Sequence, residues 1–479
     1  MNQELTYIFE AVKDLNNRIQ ELQATIKSQH HEICTLNRQI DYLKHENRKL
    51  KKENEELRTK LTEHESLDKN SQNSNTPPSK ENLKAEVIRR TTTLRKQTGK
   101  NVGGQKGHKG CTLQSSSTPD ETIDIFPDYC TKCGSPLEDG ERVLDYITQV
   151  VSIPELKPVI RNIRHYITIC KQCGERVQSH APKKRGSNSV VYDSSVKALV
   201  LYLNVVLFLP YGRIQDFFKE VFSMNISQGS FVNWVNKAKK KAAPAIEKIK
   251  QLIMKSHVVG FDESGLYCNK KLDWAWIAQT VYFTLLFHGK GRSSKELKKR
   301  FGDSFERMVA VTDRHNAYFV VNFLNHQVCL AHLLRELQFL NELDKNQQWS
   351  RNMEQLLQKA IHERNQNPTS IINKKPWLEK LDELLQKNLE SLKDNFKTFQ
   401  KGIIKHRDYI FNFLENPQIP SDNNASERGI RKVKIKMKNS GTFRSDEGAD
   451  AFLSLLSIVE TCKKHNKSPL KSLYALFQA

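Results

Sequence analysis

Two aspartates close apolar runs, Asp262 after "HVVGF" and Asp313 after "RMVAVT". Short β-branched runs of this kind predict strands, and a carboxylate at a strand end packs poorly in a core but grips a cation from a rigid base. Taken singly, each is equally a turn residue. Together they make half of a metal site. Phosphoryl transfer with two Mg²⁺ (or Mn²⁺) ions roughly 4 Å apart needs at least three converging carboxylates, because negative oxygens must offset the repulsion between the ions. A third acid must therefore come from elsewhere in the chain.

Between Asp313 and Glu427 lie 113 residues, mostly polar helical patterns such as "WSRNMEQLLQKAIHERN" and "PWLEKLDELLQKNLESLKDNFKTFQKGI". They read as a helical insertion ahead of the last element of a fold. Glu427 then heads a stretch holding seven Lys or Arg from Arg428 to Arg444 and no acid. Locally, Asn424 with Glu427 fits a capping box, and Glu427 with Arg431 is an i,i+4 pair. A cap that also completes the carboxylate set accounts for the surroundings, with Arg428, Arg431 and Lys434 lying beside phosphates. Asp422 is the alternative third carboxylate. Glu263 is a lesser rival to Asp262, since strand alternation turns it to the opposite face.

A second constellation is formed by "CTKC" (Cys130, Cys133) and "CKQC" (Cys170, Cys173), separated by 36 residues. Two CxxC knuckles presented by hairpins offer four thiolates to Zn²⁺, although the separation is longer than the usual fifteen to twenty residues. The intervening "VLDYITQVVSIP" and "VIRNIRHYITI" alternate and predict short strands; His165 within them reads as a strand residue. The other five cysteines, Cys34, Cys111, Cys268, Cys329 and Cys462, have no partner spacing.

At 479 residues the chain has room for three or four units at ~100–200 residues per domain. Its formal net charge of +22, at 27% charged residues, points to a polyanionic partner, most often nucleic acid. The longest apolar run, "ALVLYLNVVLFL" (198–209), is shorter than the ~20 residues a spanning helix needs, and "MNQELTYIFE" is no secretory signal, so cytosol without a membrane association is expected.

The elements that must position these residues follow from periodicity. A heptad runs over the first sixty residues, with a at Val12, Ile19, Ile26, Ile33, Ile40, Asn47, Asn54 and Leu61 and mostly Leu at d. β-Branched a with Leu d favours a parallel two-stranded coil, and hence a homo-oligomer. "SLDKNSQNSNTPPSKEN" reads as a linker. The arm after it carries eight Lys or Arg and one acid from Lys84 to Gly110, with glycines that let Lys106 and Lys109 meet phosphates. Helical patterns from Asp193 to about Leu252 turn at Pro210 and Met224–Asn225, with Ser227 or Ser230 as a cap; this is compatible with helix-turn-helix DNA reading and equally with plain packing. Three strand patterns, a helical crossover "SSKELKKRFGDSF", a fourth strand and a helix then describe an α/β sheet like that of ribonuclease H.

At this point the residues resemble a known family, the DDE transposases of insertion-sequence 66. The landmarks occur in order over nearly the whole chain: "NSQNSNTPPS", "GGQKGHKG", the CxxC pairs, "LPYGRIQDFF", "SFVNWV", "DESG", "WAWI", "VTDRHNAY", "CLAHLLREL", "DNNASERGIR" and "GADAFLSLLSIVETCKKHN". The resemblance implies catalysis by Asp262, Asp313 and Glu427 with divalent metal, and zinc at the four cysteines. It further implies cleavage at the 3′ end of the element, transfer of that end into target DNA without a covalent enzyme intermediate, and a bacterial, nucleoid-associated setting in which accessory proteins of the element take part. It also puts His332 near the site. Two positions depart from the pattern: Ser264 replaces the usual Thr, and Met437 stands where an Arg commonly precedes Lys-Asn.

The expected fold is therefore multidomain α/β: a coiled coil at 1–65, a basic flexible linker at 66–120, a zinc-ribbon domain at 121–184, a helical DNA-binding domain at 185–252, a ribonuclease H-like catalytic domain at 253–456 with a helical insertion at about 340–415, and a helical tail at 457–479. A DNA-binding protein with a dead catalytic fold, or a metal-dependent nuclease of the same fold, are the alternatives. Intact acids disfavour the first, and the insertion with a dimerising N-terminus disfavours the second.

Overall fold

The structure is a computed structural model that describes residues 2–65, 107, 115–138, 142–178, 191–303 and 305–478. Most of the expected linker, including Lys106 and Lys109, lies outside the described residues. The chain divides into two compact units: Met1–Glu81 with His332–Glu363 and Lys375–Lys405, and Asn82–Ala331 with Arg364–Lys374 and His406–Ala479.

In the first unit, α1 (Asn2–Glu65) is one continuous helix. Its described heptad residues Ile19, Leu22, Leu36, Ile40, Leu43 and Leu50 are exposed, an apolar stripe at coiled-coil spacing. The unit's later segments, 332–363 and 375–405, are mostly helical, and within them the Trp349 indole N–H donates to the Leu384 carbonyl at 2.8 Å while its ring meets Phe396 and Phe399.

The second unit begins with two thiol-bearing turns. Cys130 N–H donates to Ser135 O and Gly134 N–H to Cys130 O; Cys170 and Gly174 repeat the pattern with Glu175 and Cys170. Both glycines have positive φ, the conformation such a turn demands. Around the second turn, β1 (Ile167–Ile169) pairs antiparallel with β2 (Arg176–Gln178). The strands expected within 142–166 do not form, and their apolar side chains stand in the open, Ile160 at 88%. Alternation creates a strand only where a partner edge completes its ladder.

From residue 191 the helical reading holds. Asp193 caps α2 (Ser194–Leu201), which widens into a π turn at Tyr202–Val206; α3 (Tyr211–Phe222) and α4 (Gln228–Met254) follow, the latter capped by Ser227. Val200, Leu203, Ile214, Phe218, Ile226 and Phe231 knit the three together. Farther along α4, Ala242, Ile246, Ile249 and Ile253 enter the same core as the sheet that follows.

That sheet has five strands: β3 (Val258–Cys268), β4 (Lys271–Gln279), β5 (Thr284–Gly289), β6 (Val309–Thr312) and β7 (Asn325–Val328), in the order β5-β4-β3-β6-β7. The first three form an antiparallel meander, and β6 and β7 add parallel to β3 and to each other. The right-hand strands need a crossover, which α5 (Ser294–Phe301) supplies. Strand β7, "NHQV", is polar and was not legible as a strand; its Gln327 is buried by hydrogen bonds to the Ile410 carbonyl and from the Phe413 N–H. Helix α6 (Leu330–Leu343) follows β7, and α7 (Trp349–Gln366), α8 (Lys375–Leu385) and α9 (Asp394–Lys405) make up the expected insertion.

After it, α10 (Asn424–Ser440) lies on β3 and β4, and α11 (Asp446–Lys464) packs on α4 and β5. Helix α12 (Pro469–Gln478) returns to the start of the unit, where Ser194 Oγ donates to the Phe477 carbonyl. Two glycines permit the approach of α10. A Cβ on Gly429 would lie 2.4 Å from Ile277 Cδ1, and one on Gly260 2.6 Å from Ser426 Oγ. Lysines fasten the helix: buried Lys436 donates to the Leu209 and Asn204 carbonyls, and Lys434 to Gly265 O at 2.8 Å.

Gly260→Ala should lower unfolding free energy by about 1–3 kcal/mol, measured by urea denaturation, because Ser426 and Asn423 are hydrogen-bonded in place and the overlap is not relieved by a rotamer change. Burial holds the Lys436 ammonium at about 8, below its ordinary 10.5. Between these values the unfolded chain binds a proton that the folded chain has released, so Lys436 makes stability rise with pH from about 8 to about 10.5. Lys436→Met should flatten that rise relative to wild type; equal slopes would show that the ammonium is solvated.

Candidate carboxylate site

Asp262 sits inside β3 rather than at its end, because β4 pairs with β3 along its whole length, from Gly260 opposite Gln279 to Cys268 opposite Lys271. Its other neighbour is shorter. β6 pairs with β3 only from Val258 opposite Val309 to Gly260 opposite Val311, and the same register carried two residues onward sets Asp262 beside Asp313. The two aspartates thus meet where β6 runs out and the sheet opens.

Glu427 comes from the first turn of α10, and its side chain is 11% exposed. The start of that helix is built differently from the expected box. Asn423, not Asn424, is the N-cap residue, and its side chain does not cap: it donates to the Phe261 carbonyl at 2.6 Å and accepts from Ser426 Oγ at 2.6 Å. Gln279 of β4 donates to Ser426 as well. Asp422 accepts from the Asn424 N–H at 2.9 Å, so its carboxylate is engaged in shaping the turn. Cys329 ties the parts together, its N–H donating to Thr312 O while its sulfur accepts from the Asn423 N–H. The expected i,i+4 contact does form, with Arg431 Nη2 at 3.2 Å from Glu427 Oε2.

Electrostatics binds the group. The Asp262 carboxyl is pushed well above the usual carboxylate range by burial first, and then by the negative charges of Glu263, Asp313 and Glu427. The acids around Asp262 leave that carboxyl short of positive charge, which a hard divalent cation would supply, although among the described residues the oxygens of Asp262, Asp313 and Glu427 are not gathered into one group of neighbouring ligand atoms. Asp313 Oδ1 accepts from the His315 N–H, and its Oδ2 lies 4.0 Å from Arg292 Nη2. Glu263 is on the opposite face as alternation requires, buried, and bonded to Arg292 and Tyr318. Arg292 carried no sequence signal, sitting in a polar loop, and Tyr318 enters the sequence reading only as the end of "VTDRHNAY", without a role; it lies in a one-turn helix.

The basic run on α10 is only partly a surface. Arg428 and Arg431 are exposed, but Lys432 is paired with Glu460 and Lys434 is half-buried on Gly265 O, which removes it from the face expected to meet phosphates. Met437, in place of the commoner Arg, packs on the core, and its sulfur accepts from the Tyr267 N–H. His332 belongs to the other compact unit.

The four expected zinc ligands are held in two like turns. Within each, the cysteines interact, and hydrogen bonds from Ser135 and then from Cys130 bring the Cys133 thiol down to about 7. Among the described residues, the four sulfurs are not gathered into one group of neighbouring ligand atoms. Cys268, Asp273 and Asp446 do come together, but Lys290 already sits between the two acids, 2.9 Å from Asp273 and 2.8 Å from Asp446. No helix among the described residues is long and apolar enough to cross a membrane.

Comparison with known proteins bears on this arrangement. The Transposase IS66 family matches residues 189–451, more than half of the chain, spanning the helices from α2 and the whole sheet with Asp262, Asp313 and Glu427. A family of unknown function, DUF6444, matches residues 9–114. A search of curated proteins gave no match. A sheet that sets two aspartates side by side under a glutamate-bearing helix, within a sequence that fits this family pattern, identifies the chain as a member of the IS66 family of transposases.

Proposed function

We propose that this chain is a DDE-type transposase that binds the terminal repeats of its insertion sequence, cleaves their 3′ ends and joins them to target DNA. The observation that supports this best is that Asp313, just past the end of β6, and Glu427 both lie close enough to raise the Asp262 carboxyl of the neighbouring strand. The strand order, an antiparallel meander extended by two parallel strands, supports a ribonuclease H-like catalytic domain.

In this reading Asp262, Asp313 and Glu427 hold Mg²⁺ or Mn²⁺. When bound, such ions offset charge on the phosphodiester and make water, and later a 3′-hydroxyl, a competent nucleophile. The protein's own contribution is positioning. β3 and β6 fix two carboxylates on a rigid sheet, the His315 N–H orients Asp313, and Arg431 steers one oxygen of Glu427. Arg428 and Arg431, exposed beside Glu427, meet backbone phosphates. Lys106, Lys109 and the rest of the basic arm add affinity without sequence reading.

The four cysteines hold Zn²⁺ in a ribbon, a role supported by the two matching turns with positive-φ glycines. The exposed heptad stripe of α1 fits a second copy of the chain, which would let one assembly hold two ends. A bacterial cytoplasmic, nucleoid-associated setting follows, with accessory proteins of the same element as further partners.

Two measurements check these assignments. With a labelled duplex carrying the parent element's ends and Mg²⁺ or Mn²⁺, the wild type should cut. Asp262→Asn, Asp313→Asn and Glu427→Gln should each bind the duplex, stay folded and lose at least about a hundredfold in cleavage. Equal cleavage by Glu427→Gln would move the third ligand to Asp422, while failure of the wild type to cut would favour a DNA-binding protein. Separately, the purified chain should carry about one zinc ion; Cys133→Ser or Cys173→Ser should lose it, and a metal content unchanged in both would rule out the ribbon.

A further inference from the structure

We infer that Arg292 grips a phosphate of the DNA strand at the carboxylate site, and that buried Glu263 with Tyr318 exists to hold it there. This rests on the phosphoryl-transfer reading above. A carboxylate buried on a sheet face is strongly unfavourable unless it is fully partnered, and an apolar residue of similar size would pack at that position without that penalty. Glu263 is nonetheless 1% exposed, and both its oxygens are engaged: Oε1 accepts from Arg292 Nε at 2.6 Å and Oε2 from the Tyr318 hydroxyl. Tyr318 is itself fully buried, so the pair is a rigid platform.

Arg292 does not follow its partner inward. Its side chain is 42% exposed, its guanidinium lies 5.2 Å from the centre of the Trp274 ring, and Nη2 stands 4.0 Å from Asp313 Oδ2. One edge of the guanidinium is thus fixed by Glu263, and its cation lies over the Trp274 ring. The Nη edge remains, with Nη2 near Asp313. Guanidinium carries five N–H donors in a fixed fork, and a free Nη edge matches two oxygens of a phosphate. The distance of 4.0 Å is long for a hydrogen bond, so Asp313 attracts this edge without saturating it. The inward lysines of α10 contrast with it: Lys434 and Lys436 spend their protons on carbonyls of the fold. A residue that served only to neutralise Glu263 would need neither the contact with Trp274 nor the exposed edge.

The test uses the full-length chain with two readouts. Binding of a fluorescent duplex from the parent element's ends is followed by anisotropy in Ca²⁺ over a range of salt, and strand cleavage of the same duplex is followed in Mn²⁺. Arg292→Ala should raise KM for the duplex about tenfold or more and reduce the salt slope of binding by about one phosphate contact. Arg292→Lys, which keeps the charge but not the fork, should recover the slope and not the cleavage rate. The inference is overturned if Arg292→Ala leaves KM and salt slope unchanged, or if Arg292→Ala combined with Glu263→Gln melts and cleaves like wild type, since the pair would then be a neutral structural unit. Cleavage by wild type that survives Asp262→Asn would sink the phosphoryl-transfer reading itself, and the phosphate grip with it.

Discussion

The close seating of α10 on β3 and β4 is the constraint on which the rest of this site depends. Glu427 comes near enough to act on the Asp262 carboxyl only because Gly260 and Gly429 carry no Cβ where the helix crosses, and because Asn423 and Ser426 replace the missing contacts with hydrogen bonds to Phe261 O and Gln279. The far end of the helix is tied as well. Past Gly441, Phe443 bridges to Cys268 and exchanges backbone hydrogen bonds with Tyr267 and Asn269, so the helix is fastened to β3 at both ends. A residue held in this way has little freedom to relax from its neighbours, and the raised Asp262 carboxyl is the electrostatic consequence.

Charge is distributed with similar economy. A chain of net +22 does not simply present lysine to solvent. On α10 alone, Lys432 is paired with Glu460, Lys434 and Lys436 donate to carbonyls, and Arg428, Arg431 and Lys438 stay outward. Long aliphatic stems let lysines cover apolar surface while their ammonium groups satisfy carbonyls that helix and strand ends leave unpaired. Arginine, with more donors and a flat face, is kept at the two places where the carboxylates are approached, Arg431 on the helix and Arg292 at the sheet.

Much of this was legible beforehand where local pattern and burial agree. The helices from Asp193 onward, the Ser227 cap, the three-strand meander and the crossover followed from periodicity and turn chemistry. The reading failed where pairing or a neighbour decides. The alternating residues of 142–166 have the pattern of strands and no ladder, whereas polar "NHQV" becomes a strand because β6 offers an edge and Gln327 finds buried partners. Asp262 looked like a strand end because the apolar run stops there, yet β4 carries the strand on to Cys268. The cap moved from Asn424 to Asn423 because the sheet claimed the Asn423 side chain.

The sequence by itself determined which residue types were available for chemistry and roughly which elements would carry them: three acids in three separate segments, paired cysteines at knuckle spacing, and an excess of positive charge. These depend on local propensity and composition, which a chain carries without its fold. Tertiary structure alone decided that Asp313 falls near Asp262 just past the end of β6, that α10 lies close enough for Glu427 to act on Asp262, which lysines are turned inward, and that Glu263 anchors Arg292. Such facts arise from contacts between residues far apart in the chain, where geometry rather than pattern fixes who meets whom.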